Sequence, residues 1–317
     1  MGFGTPPAAA ATPPVYNAPN LGPLIDFQLA NIPSDSFGKL PVVALASQCH
    51  YQPLLGDKAL FSPINNITTT VRLLQLLDYS QYALAAEAAN CGGSMATVPV
   101  AGRYIYMPQG FSASGVRGAN LYRYDPWLDA WATMTAITAL GAAYRFDYFN
   151  GVLSDGGDFV YIFGIWDGTD NLGTARYSIS GNSYTLMADA PGGVVPGGGC
   201  EGPIGDFIYV ENGAAVQQLY RYSISGNSWT TLTAPPGDHV RGGLVQDPAT
   251  PDNLYAVGGI AGVGRVERYS IAGNSWTTLT GTGIPGDVWA KGIFFTAPVP
   301  CILLPRVSTT ALWVYKV

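Results

Sequence analysis

Residues 221–233 read RYSISGNSWTTLT, and the same text returns at 268–280 as RYSIAGNSWTTLT and, more loosely, at 176–187 as RYSISGNSYTLM. Each copy has the form of two short strands around a Gly-Asn turn. Tyr, Ile, Trp and Thr suit a pleated, half-buried surface. Gly-Asn between such runs is expected to supply the positive φ angles of a tight hairpin.

Working outward, the Tyr of each copy belongs to a longer series. Tyr124, Tyr177, Tyr222, Tyr269 and Tyr315 each sit in an aromatic-rich strand, and Leu76 is the weaker first member; the separations are 48, 53, 45, 47 and 46 residues. A period of 40–50 with strand signals means propeller blades or a β array. Seven residues after four of these anchors stands an aromatic: Trp131, Tyr184, Trp229 and Trp276. In the first unit Tyr82 follows Leu76 by six. Tyr315 is followed by Lys316 and Val317, so the sixth unit lacks its outer strand. Residues 26–33, DFQLANIP, end an apolar strand on proline as 229–236, WTTLTAPP, do. They are expected to supply the missing strand, closing a ring and removing both sheet edges.

Upstream of the anchors lie apolar pairs of inner strands, such as 151–153 with 159–163 and 242–245 with 254–259. Gly258 and Gly259 after an apolar strand, then Tyr269, then Trp276, resemble the kelch repeat. The resemblance covers about residues 25–317 and is clearest in the second to fifth units. It implies an all-β fold, a six-bladed kelch-like β-propeller, with residues 1–24 as a separate extended arm. It also implies that the repeated residues (Tyr124, Trp131, Tyr177, Tyr184, Tyr222, Trp229, Tyr269, Trp276 and Tyr315) are structural and pack between blades.

Composition limits the partners. Charged residues are 11% of the chain, against roughly 25% in an ordinary soluble domain, while Gly 40, Pro 24 and Tyr 19 take their place. A net charge of −6 argues against nucleic-acid binding through a basic face. No apolar run reaches the length of a membrane-spanning helix, and the N-terminus lacks the basic start and apolar core of a signal peptide. Residues 1–24 are rich in Pro and Ala and favour extended conformations. Such a segment is expected to dock on other copies of the chain.

Chemistry is harder to find. Cys49, Cys91, Cys200 and Cys301 stand alone, without zinc-site spacing. Some kelch-type propellers are copper-radical oxidases, whose site takes two His, two Tyr and a Cys thioether partner. This chain has His50 and His239, far apart in the repeat order. Arg123, Arg176, Arg221 and Arg268 share one repeat position beside the anchor and are expected to stack on Tyr or pair between blades. Residues 155–158 and 167–170 resemble calcium loops faintly and are first of all turns. No cofactor, metal ligand or catalytic set is assigned.

The best candidate surface is the loop entering each inner strand. Asp238, His239 and Arg241 align with Asp287, Trp289 and Lys291, and Arg145 with Asp147 lies at a similar place. These groups around a propeller mouth suit a sugar or an acidic ligand, while Pro-Gly-Asp also reads as a plain turn. Three functions follow. The leading one is a non-enzymatic structural or interaction subunit of a phage or virus particle (tail, fibre or capsid decoration), located in the virion. The alternatives are a glycan-binding adhesive propeller, which would be extracellular, and a propeller-based hydrolase or oxidase. Cys49 and Cys91 precede their anchors by 27 and 33 residues, a poor match for a disulfide, which needs Cα atoms within roughly 7 Å. Both are expected to be free thiols, so alkylation without reductant should raise the mass of the intact protein.

Overall fold

The computed structural model describes residues 36–40, 47–51, 58–63, 72–75, 81–83, 99–100, 104–110, 116–125, 128–147, 151–155, 157–170, 173–192, 199–212, 217–237, 239, 242–257, 265–279, 293–295, 300–305 and 312–317. The expected arm, 1–24, and the expected closing strand, 26–33, lie outside these residues, as does Cys91; Cys49 is described in its backbone.

Six four-stranded antiparallel sheets are found among the described residues. The first runs Ser47–Tyr51, Lys58–Pro63, Arg72–Gln75 and Gln81–Ala83, and the second Pro99–Val100, Tyr104–Pro108, Leu121–Asp125 and Ala130–Thr133. The third runs Gly151–Ser154, Phe159–Ile165, Gly173–Ser178 and Ser183–Leu186, and the fourth Cys200–Ile204, Phe207–Asn212, Gln218–Ser223 and Ser228–Thr231. The fifth runs Gly243–Gln246, Asn253–Val257, Val266–Ser270 and Ser275–Leu279. The sixth joins Ile293–Phe295, Cys301–Pro305 and Leu312–Lys316 to Ser36–Leu40 from the start of the chain.

That last pairing corrects the expected strand. Ser36–Leu40, not 26–33, lies antiparallel to Leu312–Lys316, with Phe37 opposite Tyr315. The register explains the shift. Tyr177 faces Tyr184, Tyr222 faces Trp229 and Tyr269 faces Trp276. An aromatic opposite the anchor is what the position requires, and proline at the strand end is not. The first unit is corrected in the same way: Leu73, not Leu76, sits opposite Tyr82.

The seven-residue spacing is thus a cross-strand pair, and the rings pack at a tilt with centroids 4.8 Å apart in Tyr124–Trp131 and 5.0 Å in Tyr222–Trp229. Such pairs contribute about 0.5–1.5 kcal/mol beyond their area. The later anchors also pack on a Tyr of the preceding sheet's second strand: Tyr177 on Tyr106, Tyr222 on Tyr161. Tyr269 shares a cluster with Tyr209, and Tyr315 with Tyr255. The apolar core is therefore a series of clusters between neighbouring sheets.

At the inner edge the first strands of the third, fourth and fifth sheets lie against one another in chain order. Gly199 permits this between the fourth and fifth, since a Cβ there would collide with the backbone nitrogen of Leu244.

The hairpin turn differs from expectation. Asn182, Asn227 and Asn274 carry the positive φ, at 44°, 43° and 43°, and Asp129 takes the same place with 48°. The preceding glycines are not in that region. Four residues separate the paired serines, for example Ser223 and Ser228, so the loop is longer than a two-residue turn. Asn tolerates the left-handed region because its short amide bonds locally.

The amide oxygen of Asn227 accepts the hydroxyl of Tyr222 at 2.8 Å and the backbone N–H of Ala188 in the preceding unit at 2.8 Å. Asn274 does the same with Tyr269 and Thr233, and Asn182 with Tyr177 and Thr135. Trp229 and Trp276 donate their indole N–H to the carbonyls of Ala188 and Thr233, both at 2.8 Å. Burial pushes the hydroxyls of Tyr222 and Tyr269 up to about 12, so they remain donors throughout the physiological range.

The repeated Arg stacks, as expected, but on a ring of the second strand: Arg123 on Tyr104, Arg176 on Phe159 and Arg221 on Phe207, at 4.3, 4.2 and 4.4 Å. The faint calcium loops are turns. Asp155 accepts the amides of Gly157 and Phe159, and Asp167 those of Thr169 and Asp170. Asp158 ties the neighbouring hairpin through Ser178 and Ser180, and Asp206 does so through Ser223 and Ser225.

Two outcomes follow. Asn227→Ala loses both hydrogen bonds and strains the left-handed residue, and should cost about 2–4 kcal/mol in chemical denaturation. Asn227→Asp, which mimics Asp129, should cost under about 1 kcal/mol by the same reasoning; equal losses would refute the linking role. The hydroxyls of Ser178 and Ser223 hold the carboxyls of Asp158 and Asp206 below their ordinary value of 3.8. Their contribution is fully present above 3.8 and is lost as pH falls through the lower folded-state value. The Asp158→Asn, Asp206→Asn double variant should therefore show a flatter acid limb in a plot of stability against pH.

Candidate functional site

In these sheets the connections after the first and third strands leave one end, and those after the second and fourth leave the other. The Asn hairpins occupy the first end. The opposite end carries the more varied connections, and the chemistry gathers there.

Its clearest feature is a cleft of ≈ 360 Å³ lined by Arg117, Arg145, Trp166 and small residues between them. Arg117 lies between the second and third strands of the second sheet, and Trp166 follows the second strand of the third. Arg145 leads into the first strand of the third sheet. Its backbone exchanges two hydrogen bonds with that of Trp166, at 2.9 and 3.0 Å, and so fixes the two side chains side by side.

The Arg117 guanidinium sits 4.0 Å over the Trp166 ring, while its Nε donates to Asp147 Oδ2 at 2.7 Å. The Asp147 carboxylate is nearly enclosed and the Arg117 side chain is 31% exposed. One guanidinium is thereby held by charge at its edge and by an aromatic face beneath. Arg145 donates from Nη1 to the carbonyls of Ala142 and Tyr144, both at 2.7 Å.

A second group lies at the same end of the fifth sheet. His239 Nε2 is 3.1 Å from Glu267 Oε2, and both side chains are fully buried. The same carboxylate oxygen accepts the Gly237 amide at 3.1 Å, and Arg265 lies 3.7 Å from Oε1. Gly237 allows this closeness, since a Cβ would come within 2.7 Å of Arg265 and Glu267. His239 therefore closes a buried pair under the loop and does not line an open mouth.

Of the sequence candidates, Arg145 lines the cleft and Asp147 anchors its wall. Asp238, Arg241, Asp287, Trp289 and Lys291 lie outside the described residues. Sequence reasoning missed Arg117 and Trp166, which occupy no repeat position. Their one available signal was a charge and an indole at the ends of apolar strands. Among the described residues no group of three or more His, Cys, Asp or Glu is placed to hold a metal ion, and no helix is long and apolar enough to cross a membrane.

No protein-family model and no curated protein matches the sequence. Solved structures do match. One is a fungal alcohol oxidase of the AA5 family, in complex with copper, with a TM-score of 0.62 at 12% identity. The likeness covers 86% of this chain and 62% of the oxidase, and at that identity it is one of fold: all-β and propeller-like. It nonetheless corrects the leading expectation of a non-enzymatic subunit of a phage or virus particle. The architecture matched is that of an enzyme, and neither virion nor tail finds support.

The Arg117–Asp147 pair should be worth about 1 kcal/mol in a double-mutant cycle of Arg117→Met and Asp147→Asn, given that the arginine is partly exposed. Additive losses would show that the pair is incidental.

Proposed function

We propose that this chain is a propeller enzyme, an oxidase before a hydrolase, that takes a small alcohol-bearing molecule of sugar size in the cleft of Arg117, Arg145 and Trp166. The observation that carries the reading is the stacked and ion-paired Arg117–Trp166–Asp147 group. A flat indole beside fixed donors suits a ring that has an apolar face and hydroxyl edges. The likeness to an alcohol oxidase supports the reaction class.

The architecture proposed with it is a six-bladed, kelch-like ring formed by residues 25–317, with 1–24 as an arm toward other copies. Six four-stranded sheets and the pairing of Ser36–Leu40 with Leu312–Lys316 support that ring and its closure.

Copper is the group that the likeness implies, and the described residues do not fit it. His239 spends its Nε2 on Glu267 in an enclosed pair. Cys200 and Cys301 are buried and form no disulfide. Burial pushes Cys301 up to about 12, which keeps it protonated and a poor ligand. The described part of the chain thus supplies substrate-holding groups and no copper donor set.

In the cleft, Asp147 keeps Arg117 from swinging into solvent and so holds its guanidinium against the face of Trp166. Trp166 removes water from one face of the ligand. The backbone bridge between Arg145 and Trp166 holds the second guanidinium at the rim.

The test is a panel of sugars and polyols, scored by peroxide release with and without added Cu(II) and by hydrolysis of aryl glycosides. Turnover of at least one member, lost in Trp166→Ala at unchanged melting temperature, supports the reading. A folded protein that neither binds nor turns over any of them refutes it.

A further inference from the structure

We infer that the cleft selects a ligand bearing a carboxylate beside its hydroxyls, a sugar acid, with Arg145 as the group that receives the anion. The inference rests on the proposed sugar-sized substrate of the same cleft.

The argument starts from charge. The ion pairs found among the described residues engage Arg117, His239 and Arg265, and none reaches Arg145. Carboxylates close by in the chain are already occupied. Asp147 takes Arg117, and Asp167 takes the amides of Thr169 and Asp170. Those amides also hold the Asp167 carboxyl below its ordinary range. Arg145 thus keeps a full positive charge at the cleft wall of a protein whose net charge is −6.

Geometry adds direction. Two short bonds from Nη1 to the carbonyls of Ala142 and Tyr144 use one end of the guanidinium as an anchor. The Nε–Nη2 edge is the part of the fork that matches a carboxylate with two parallel hydrogen bonds. A rigid fork, a neighbouring indole and the paired Arg117 together fit a planar anion attached to a ring. A neutral sugar would leave the Arg145 charge without a counterpart.

The experiment is calorimetric titration of the full chain with D-glucuronate, its methyl ester and D-glucose at low and high salt. Glucuronate should bind about tenfold more tightly than either neutral probe, the effect of one charge-assisted contact. The preference should shrink in salt. In Arg145→Gln the three affinities should converge, while Arg145→Lys should keep part of the preference without the two-pronged contact. The wild-type comparison of acid and ester needs no variant, so a folding defect at Arg145 leaves the test intact. Equal binding of all three overturns the inference and leaves the sugar reading standing. Binding of none overturns both.

Discussion

The structure depends on what a single amide oxygen does at each hairpin. Asn227 must adopt a left-handed backbone to close the loop, and that conformation aims its side chain inward. There it accepts the hydroxyl of its own sheet's anchor Tyr222 and the amide of Ala188 from the unit before. A turn residue, an aromatic core residue and the neighbouring sheet are thus bound at one atom. Aromatic burial supplies more free energy than these hydrogen bonds, at about 1.5–3 kcal/mol per large side chain against about 1 kcal/mol per bond. Burial is non-directional, however. The hydrogen bonds at the amide are directional, and they tie each hairpin to one position on the unit before it.

The departures from the repeat support this account. Asp129 replaces Asn in the second unit and still accepts the Tyr124 hydroxyl at 2.7 Å, so an acceptor is required and not an amide as such. Tyr184 replaces Trp in the third unit, and its buried hydroxyl finds no hydrogen-bond partner. An indole N–H in that position would reach the preceding unit, as Trp229 does. At the register position of Phe207 the fifth unit has Asn253, so Arg268 has no ring there to lie on. The repeat therefore tolerates loss of the cation–π contact and of one indole bond, while each described copy keeps the acceptor at the turn.

Much of this was legible in the sequence, because the repeat shows what is periodic. The five Tyr anchors, the aromatics opposite them and the need for a displaced strand follow from a 45–53-residue spacing, while the first anchor, read as Leu76, is Leu73. The error over the closing strand came from weighting proline above the pair Ser-aromatic. Ser183–Tyr184, Ser228–Trp229 and Ser275–Trp276 share that pair, and Ser36–Phe37 carries it too. The positive φ was expected of the Gly-Asn pair as a two-residue turn, and the structure places it on the Asn. The position needs a hydrogen-bonding side chain as well, which only Asn or Asp provides. The candidate site was far less legible. Arg117 and Trp166 belong to connections between strands, where no spacing rule operates, and they meet because the second and third sheets are adjacent.

That asymmetry has a physical cause. The Asn hairpins at one end hold neighbouring units together through their amides, while Asp158 and Asp206 brace the same hairpins from within their own sheets. Repetition there is enforced by stability. The connections at the other end give those amides a backbone partner just after the fourth strand, at Thr135, Ala188 and Thr233, and differ in length and content beyond it. Arg117, Asp147 and Trp166 come from three connections across two units, and the scaffold fixes their spacing to within a hydrogen bond. Changing Arg117, Asp147 or Trp166 alters what the cleft holds and leaves the atoms that meet the Asn amides untouched. A chain built this way conserves its architecture in the repeated text and places its chemistry in the text that does not repeat.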